Sequence, residues 1–192
     1  MNKHQHFKMY KPFGMLSQFT SNDAKEARKK RFLGESYDFP EGVMPIGRLD
    51  EKSEGLLLLT TDGKLSDAIN QSGIEKEYYA QLDGEITPET IEQLEKGVII
   101  GFAGKKYVTK PCKVQLLTEV PKLPEPNKKL RIGIHRPYSW ISITITEGKF
   151  RQVRKMTAAV GYPTLRLIRI RIGSITLEPM LLEEVILLST LF

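Results

Sequence analysis

The 192-residue sequence is poor in the residues that bind metals and form disulfides, with one cysteine, Cys112, and three histidines. A single thiol excludes an internal disulfide and favours a reducing, cytoplasmic compartment. These few residues form no metal-ligand cluster of familiar spacing, so we expect no metal. No run of apolar residues exceeds four, whereas a membrane-spanning helix needs about 20. The start, MNKHQHF, also lacks the apolar stretch of a signal peptide.

What the sequence does contain is typical of a globular protein. Apolar residues make up 40% and charged residues 27%, which supports a buried core and excludes collagen, coiled coil and wholesale disorder. The length fits one domain or two small lobes.

Acidic residues are nearly missing from one long stretch. Residues 128–171 contain eleven Lys or Arg and a single acid, Glu147, whereas the rest of the chain is slightly negative. Arginine side chains bind phosphate oxygens bidentately, so this stretch predicts a polyanionic partner. A solvated basic surface is the alternative. A second basic run, at 25–31, is interpreted as a mobile charged loop.

Strands and helices without a βαβ rhythm predict an α+β fold with a mixed, largely antiparallel sheet and flanking helices. A polar excursion with a helical turn is expected over 20–41, and a proline-rich boundary between lobes near 121–137. Alternation, turn residues and caps predict strands over 7–10, 15–18, 43–49, 55–61, 77–82, 108–120, 140–146 and 165–172, and helices over 64–71, 88–96 and 150–160.

Two groups of cations could bind an anion. Arg151, Arg154 and Lys155 have the spacing of one helix face, where like charges repel unless a phosphate or carboxylate meets them. On the strand over 165–172, Arg169 and Arg171 share a face with two leucines, and Arg166 lies on the opposite face. A plain edge strand with solvated charges is the alternative.

Two further residues could do chemistry. Asp50 ends the segment GRLD at 47–50, where it could be a nucleophile or an ordinary turn residue with an Asx hydrogen bond. Alternation places Lys76 and Tyr78 on the same face of a strand, and a core tyrosine is the alternative there.

Five segments together resemble a known family: residues 10–14 (YKPFG), 47–50 (GRLD), 76–78 (KEY), 147–156 (EGKFRQVRKM) and 161–169 (GYPTLRLIR). In this order they resemble the RsuA-type pseudouridine synthases of ribosomal RNA, from about residue 7 to about residue 177. The resemblance implies the pseudouridine synthase fold, with two lobes around a central cleft, in a single domain. The first motif begins close to Met1, so we expect no separate N-terminal RNA-binding domain.

The resemblance also implies the chemistry. A uridine in ribosomal RNA, expected in the large subunit (23S rRNA), is flipped out and isomerised to pseudouridine without cofactor or metal. Asp50 is then the nucleophile, Arg154 its ion-pair partner, and Tyr78 stacks on the uracil.

The remaining implied residues contact the RNA. Arg48 fills the gap left by the flipped nucleotide, Lys76 supports the Tyr78 strand or contacts phosphate, and Leu167 and Ile168 help to form the wall of the uracil pocket. Arg151, Arg169 and Arg171 are the further RNA contacts that the pattern of cations predicts. The enzyme is expected to be a monomer without a membrane partner.

Three other functions stay open. The chain could be an RNA-binding module without catalysis, a pseudouridine synthase acting on a different RNA, or a nucleic-acid hydrolase that uses Asp50 and Glu54 as a carboxylate pair.

Overall fold

A computed structural model describes residues 4–130, 132 and 137–192. In chain order the elements are β1 (His6–Lys11), α1 (Ala24–Lys29), a 3-10 helix (Leu33–Glu35), β2 (Met44–Ile46), β3 (Glu54–Thr60), α2 (Gly63–Gln71), β4 (Lys76–Asp83), α3 (Pro88–Lys96), β5 (Ile99–Phe102), β6 (Lys105–Val108), β7 (Lys113–Leu117), β8 (Tyr138–Ile145), α4 (Gln152–Ala159), β9 (Thr164–Ile172), β10 (Ile175–Thr176) and β11 (Val185–Leu188).

The chain divides into two compact units, of which the first comprises Met1–Ile74 and Arg169–Phe192. Its strands have the order β11-β1-β3-β9, with β2 also paired to β3 and β10 to β9. Strand β1 runs antiparallel to both β3 and β11. Every residue of β3 is buried. Leu57 and Leu59 of β3 pack against Phe7 and Met9 of β1 and against Met15, which lies just after β1, and form part of the core of this unit.

The second unit comprises Glu75–Ile168. Its strands have the order β9-β4-β8-β7, and β5 and β6 form a separate two-stranded hairpin. Strand β8 runs antiparallel to β4 on one side and to β7 on the other. Strand β9 contributes 164–168 to this unit and 169–172 to the first.

The predicted α+β fold with a largely antiparallel sheet is confirmed. The caps that predicted α3 are also present. Thr87 accepts a hydrogen bond from the Thr90 amide, Pro88 is the first helical residue, and the helix ends at Gly97 in a left-handed conformation, φ +95°. Helix α2 and strands β1, β3, β4 and β9 lie where alternation and turn residues predict them.

Four expectations of the sequence pattern are wrong in detail. Residues 15–18 form no strand, only a bridge from Met15 to Arg31. The strand predicted over 108–120 is divided, because Pro111 lies between β6 and β7. The strand over 43–49 shrinks to β2, and the helix over 150–160 to α4.

Two backbone hydrogen bonds close the first part of the excursion over 20–41, which carries α1. The Leu16 amide donates to the Arg31 carbonyl at 2.9 Å, and the Leu33 amide donates to the Gln18 carbonyl at 3.1 Å. The run at 25–31, interpreted above as a mobile loop, lies largely in α1.

The chain passes between the units at 74–75 and at 168–169. The stretch near 121–137, where the boundary was expected, falls within the second unit, and its residues 131 and 133–136 lie outside the described part. Within the described ranges, none of the helices is long and apolar enough to cross a membrane.

Candidate active site

Asp50 lies in the first unit, on the turn that joins β2 to β3. Gly47 begins this connection with a φ of +66°, a left-handed conformation that favours glycine. The Ser53 amide donates to the Asp50 carbonyl at 3.0 Å and closes the turn. Asp50 is partly exposed and Arg48 is exposed, so both can be reached from solvent.

The residues on either side of Asp50 are fixed by the segment that follows β1. Ser17, which is buried, accepts a hydrogen bond from the Leu49 amide at 3.0 Å and donates one to the Leu49 carbonyl at 2.8 Å. The Gly14 amide donates to the Glu51 carbonyl at 2.8 Å. Because both neighbours are held, the turn presents the Asp50 carboxylate in a preorganised position.

Lys11 lies fully buried beneath this turn. The sequence patterns described above do not predict this burial. Its Nζ donates to the carbonyls of Pro12 at 2.9 Å and Met15 at 2.6 Å. Burial lowers the pKa of Lys11 to about 7, against the opposing effect of the Glu54 carboxylate. The only signal in the sequence is the Lys-Pro pair at the end of a strand, which marks a chain reversal.

Lys11 gives the stability of the protein a characteristic pH dependence. Its folded-state pKa, about 7, lies below the ordinary 10.5, so between these values the unfolded chain binds a proton that the folded chain does not. The free energy of unfolding therefore rises with pH across this window, by up to about 1.4 kcal/mol per pH unit. In Lys11→Met this rise should be missing, as measured by denaturant unfolding from pH 7 to pH 10.

Lys8→Met is the matched control, because Lys8 lies on the same strand and is partly exposed. We expect Lys8→Met to keep the wild-type slope. Equal slopes for wild type and Lys11→Met would contradict the assignment of a lowered pKa to Lys11.

The burial of the three arginines of β9 differs from the burial that alternation predicts for them. Arg169 is 3% exposed and its Nε donates to the Leu56 carbonyl at 2.7 Å. Arg166 is also 3% exposed and donates to the Pro124 carbonyl at 2.9 Å. Arg171 is partly buried and donates to the Gly173 carbonyl at 2.8 Å. The burial of Arg169 argues against the predicted phosphate contact there.

Tyr78 lies in the second unit, on β4, opposite Ile143 of β8. It is 7% exposed, and Lys76, on the same face two residues earlier, is partly exposed. Leu167 and Ile168 are buried neighbours on β9, so alternation directs them to opposite faces of the sheet.

The three cations predicted to share one face of α4 have different surroundings in the structure. Arg151 precedes the helix as its N-cap, in a left-handed conformation with φ +54°, and is exposed. Lys155 donates to the Gly101 carbonyl at 2.7 Å. Arg154 is partly buried, and its Nη1 donates to the Thr164 carbonyl at 3.1 Å.

The Glu147 carboxylate, which lies just before α4, connects this helix to the β5–β6 hairpin. Glu147 accepts hydrogen bonds from the Tyr107 hydroxyl, the Lys110 amide at 2.9 Å and the Gln152 side chain. Burial alone would raise the pKa of Glu147, but these donors lower it below its usual value. Glu147 thus fixes the β5–β6 hairpin to the segment that carries Arg154. Glu147 and Gln152 belong to the segment EGKFRQVRKM at 147–156, and nothing in that pattern predicts their contact with each other or that of Glu147 with Tyr107.

A family model described as RNA pseudouridylate synthase matches residues 5–159. The chain belongs to this family. It is 41% identical over 169 residues to the ribosomal large subunit pseudouridine synthase E of Vibrio parahaemolyticus, covering 87% of this chain and 66% of the relative. The protein of the same name from Xanthomonas axonopodis pv. citri is 39% identical over 170 residues, covering 88% of this chain and 85% of the relative.

A solved structure confirms the fold. The crystal structure of a pseudouridylate synthase superimposes with a TM-score of 0.77 at 27% identity, over 98% of this chain and 72% of that one. An H/ACA RNP bound to a substrate RNA contains a chain with a TM-score of 0.52 at 16% identity, which shows a shared fold alone.

Proposed function

We propose that this protein isomerises a specific uridine to pseudouridine in large-subunit ribosomal RNA. Family membership and the names of the similar relatives support this substrate. The observation that carries the chemistry is the preorganised turn, where a partly exposed carboxylate lies between two residues held by hydrogen bonds. A purely RNA-binding surface needs no carboxylate in such a position.

The reaction rearranges atoms within one nucleotide. The bond from uracil N1 to ribose C1′ breaks, the uracil rotates, and a bond from its C5 to C1′ forms. The proton leaves C5 and one is gained at N1, so the RNA keeps its length and mass, and no oxidant or cofactor is consumed. Asp50 is the proposed nucleophile that promotes cleavage of the glycosidic bond, as carboxylates do in glycosidases.

Two side chains of the second unit have proposed roles in this chemistry. Tyr78 stacks on the uracil, for which a nearly buried ring on a central strand provides a rigid surface. Arg154 is the proposed ion-pair partner of Asp50, and its bond to the Thr164 carbonyl fixes its guanidinium.

The other proposed residues bind the RNA. Arg48 and Arg151 are exposed and suit contacts with displaced strand or phosphate. Lys76, Leu167, Ile168 and Arg171 remain proposed contacts, whereas Arg169 is better explained as a support of β3. Of the basic stretch 128–171, Arg131 and Arg136 lie outside the described residues.

Release of tritium tests the proposal. Because C5 loses its hydrogen when the new bond forms, large-subunit rRNA transcribed with uridine tritiated at C5 should release tritium on incubation with the protein. Small-subunit rRNA is the matched substrate control, and mapping of pseudouridines would locate the modified position.

Each competing function predicts a different product. Tight binding without tritium release would identify a non-catalytic RNA-binding module, and cleaved RNA or free uracil would identify a hydrolase. Release from small-subunit rRNA alone would keep the reaction and overturn the proposed substrate.

A further inference from the structure

The excursion over 20–41 carries a short, firmly started helix. Asp23 caps α1, and its Oδ1 accepts hydrogen bonds from the amides of Lys25 at 2.8 Å and Glu26 at 2.9 Å. The Ser21 hydroxyl donates to the Glu26 carboxylate at 2.8 Å. A run of charges that could have been a solvated loop is thus ordered into one turn and a half of helix.

Two ion pairs fix the end of this helix to the rest of the first unit. The Lys30 Nζ donates to both carboxylate oxygens of Glu51, at 2.8 and 2.9 Å. The Arg31 guanidinium forms a bidentate pair with Glu183 at 2.9 and 3.0 Å. Since Glu51 directly follows Asp50, α1 is tied to the turn that carries the proposed nucleophile.

Three cations of α1 remain outside these pairs. Lys25, Arg28 and Lys29 have i, i+3 and i+4 spacing, lie on one face of the helix, and are all exposed. Within the described part of the chain, none of the three side chains takes part in an ion pair or a hydrogen bond. We call these three residues the α1 basic face.

The three cations of the α1 basic face repel one another at helical spacing, and Glu26, which precedes Lys29 by three residues, offsets only part of this repulsion. The helix dipole favours Arg28 and Lys29 in the last turn, but it disfavours Lys25 in the first. An anion placed against this face would relieve the remaining repulsion and stabilise Lys25.

We propose that the α1 basic face binds the phosphate backbone of the substrate RNA beside the nucleotide that reaches Asp50. This inference rests on the proposed function and adds a binding surface to it. The ligand class is a phosphodiester chain, because separate point charges on a convex helix face match a row of phosphates rather than one enclosed anion. Such contacts position the RNA and carry no sequence information.

The test compares two triple variants with the same net charge. K25Q/R28Q/K29Q neutralises the α1 basic face, and K64Q/K96Q/K122Q removes three exposed lysines elsewhere. Binding of a large-subunit rRNA fragment is measured from low to moderate salt, together with kcat and KM from tritium release. Unfolding of each variant confirms that it folds.

For K25Q/R28Q/K29Q we expect RNA affinity at low salt to fall by about tenfold or more, because each phosphate contact changes the logarithmic salt slope by ~0.7–0.9. The slope should decrease by about two, KM should rise, and kcat at saturating RNA should stay within about twofold of wild type. The control triple should keep a slope near the wild-type value.

Equal slopes and affinities for the two triples would overturn the inference, since the effect would then come from net charge alone. The same holds if K25Q/R28Q/K29Q behaves like wild type. If the triple fails to fold, R28Q and K29Q are measured singly, and a slope unchanged in both overturns the inference. Absence of tritium release from wild type would instead remove the proposed function, so the two failures are distinguishable.

Discussion

Asp50→Asn is expected to lower pseudouridine formation by at least about 10³-fold, the scale on which loss of a nucleophile reduces turnover in other enzymes. The amide keeps the shape of the side chain but cannot attack C1′ of the ribose. The hydrogen bonds of Leu49 and Glu51 that hold the turn are made by backbone atoms, so the fold should stay intact. Single-turnover tritium release with excess enzyme measures the effect on chemistry.

Asp62→Asn is the control, because Asp62 caps α2 through a hydrogen bond from the Leu65 amide and asparagine caps equally well. This variant should turn over at the wild-type rate, and both variants should bind RNA with affinities within about threefold of wild type. Near wild-type turnover of Asp50→Asn would refute the catalytic assignment of Asp50.

Arg154→Ala is expected to reduce kcat by about 10²-fold, the usual size of a lost electrostatic contact in an active site. The proposed ion pair with Asp50 acts on the chemistry, so the loss should appear in kcat while KM changes little. Measuring kcat and KM by tritium release checks both expectations. Arg154→Lys keeps the charge and should recover part of the activity.

Arg151→Ala serves as the comparison, because Arg151 is exposed and outside the helix. Its loss should raise KM and leave kcat near the wild-type value. Arg154→Ala also loses a bond to the Thr164 carbonyl, so its unfolding is measured alongside. If both variants raise KM equally and neither lowers kcat, Arg154 is an ordinary RNA contact.

The elements that could be predicted from the sequence are those whose signals are local. Helix α3 was delimited by Thr87, Pro88 and Gly97, and β3 by a leucine run between glycine and a turn. Residues 15–18 show where local signals fail. Their pattern predicted a strand, but they form only a bridge from Met15 to Arg31, and Ser17 is buried against the backbone of Leu49, which lies far away in the sequence.

The residues of the candidate site also differ in how far local sequence signals predict them. Asp50 was singled out because five ordered segments together resemble a known family, whereas GRLD alone leaves an ordinary turn residue as the alternative. Lys11 could not, since nothing near it in the sequence shows that its ammonium is enclosed by carbonyl groups. The pairing of Arg31 with Glu183 joins residues 152 positions apart, and such contacts depend on the tertiary fold.

The hydrogen bonds at the base of the segment that carries α1 make the length of this segment independent of the turn that carries Asp50. The bonds from Leu16 to Arg31 and from Leu33 to Gln18 close the segment. Doubling the length of a closed loop costs only about 0.6 kcal/mol, so residues 20–29 can lengthen or shorten at little cost in stability. Such changes would alter the surface beside Asp50 and leave the turn itself in place.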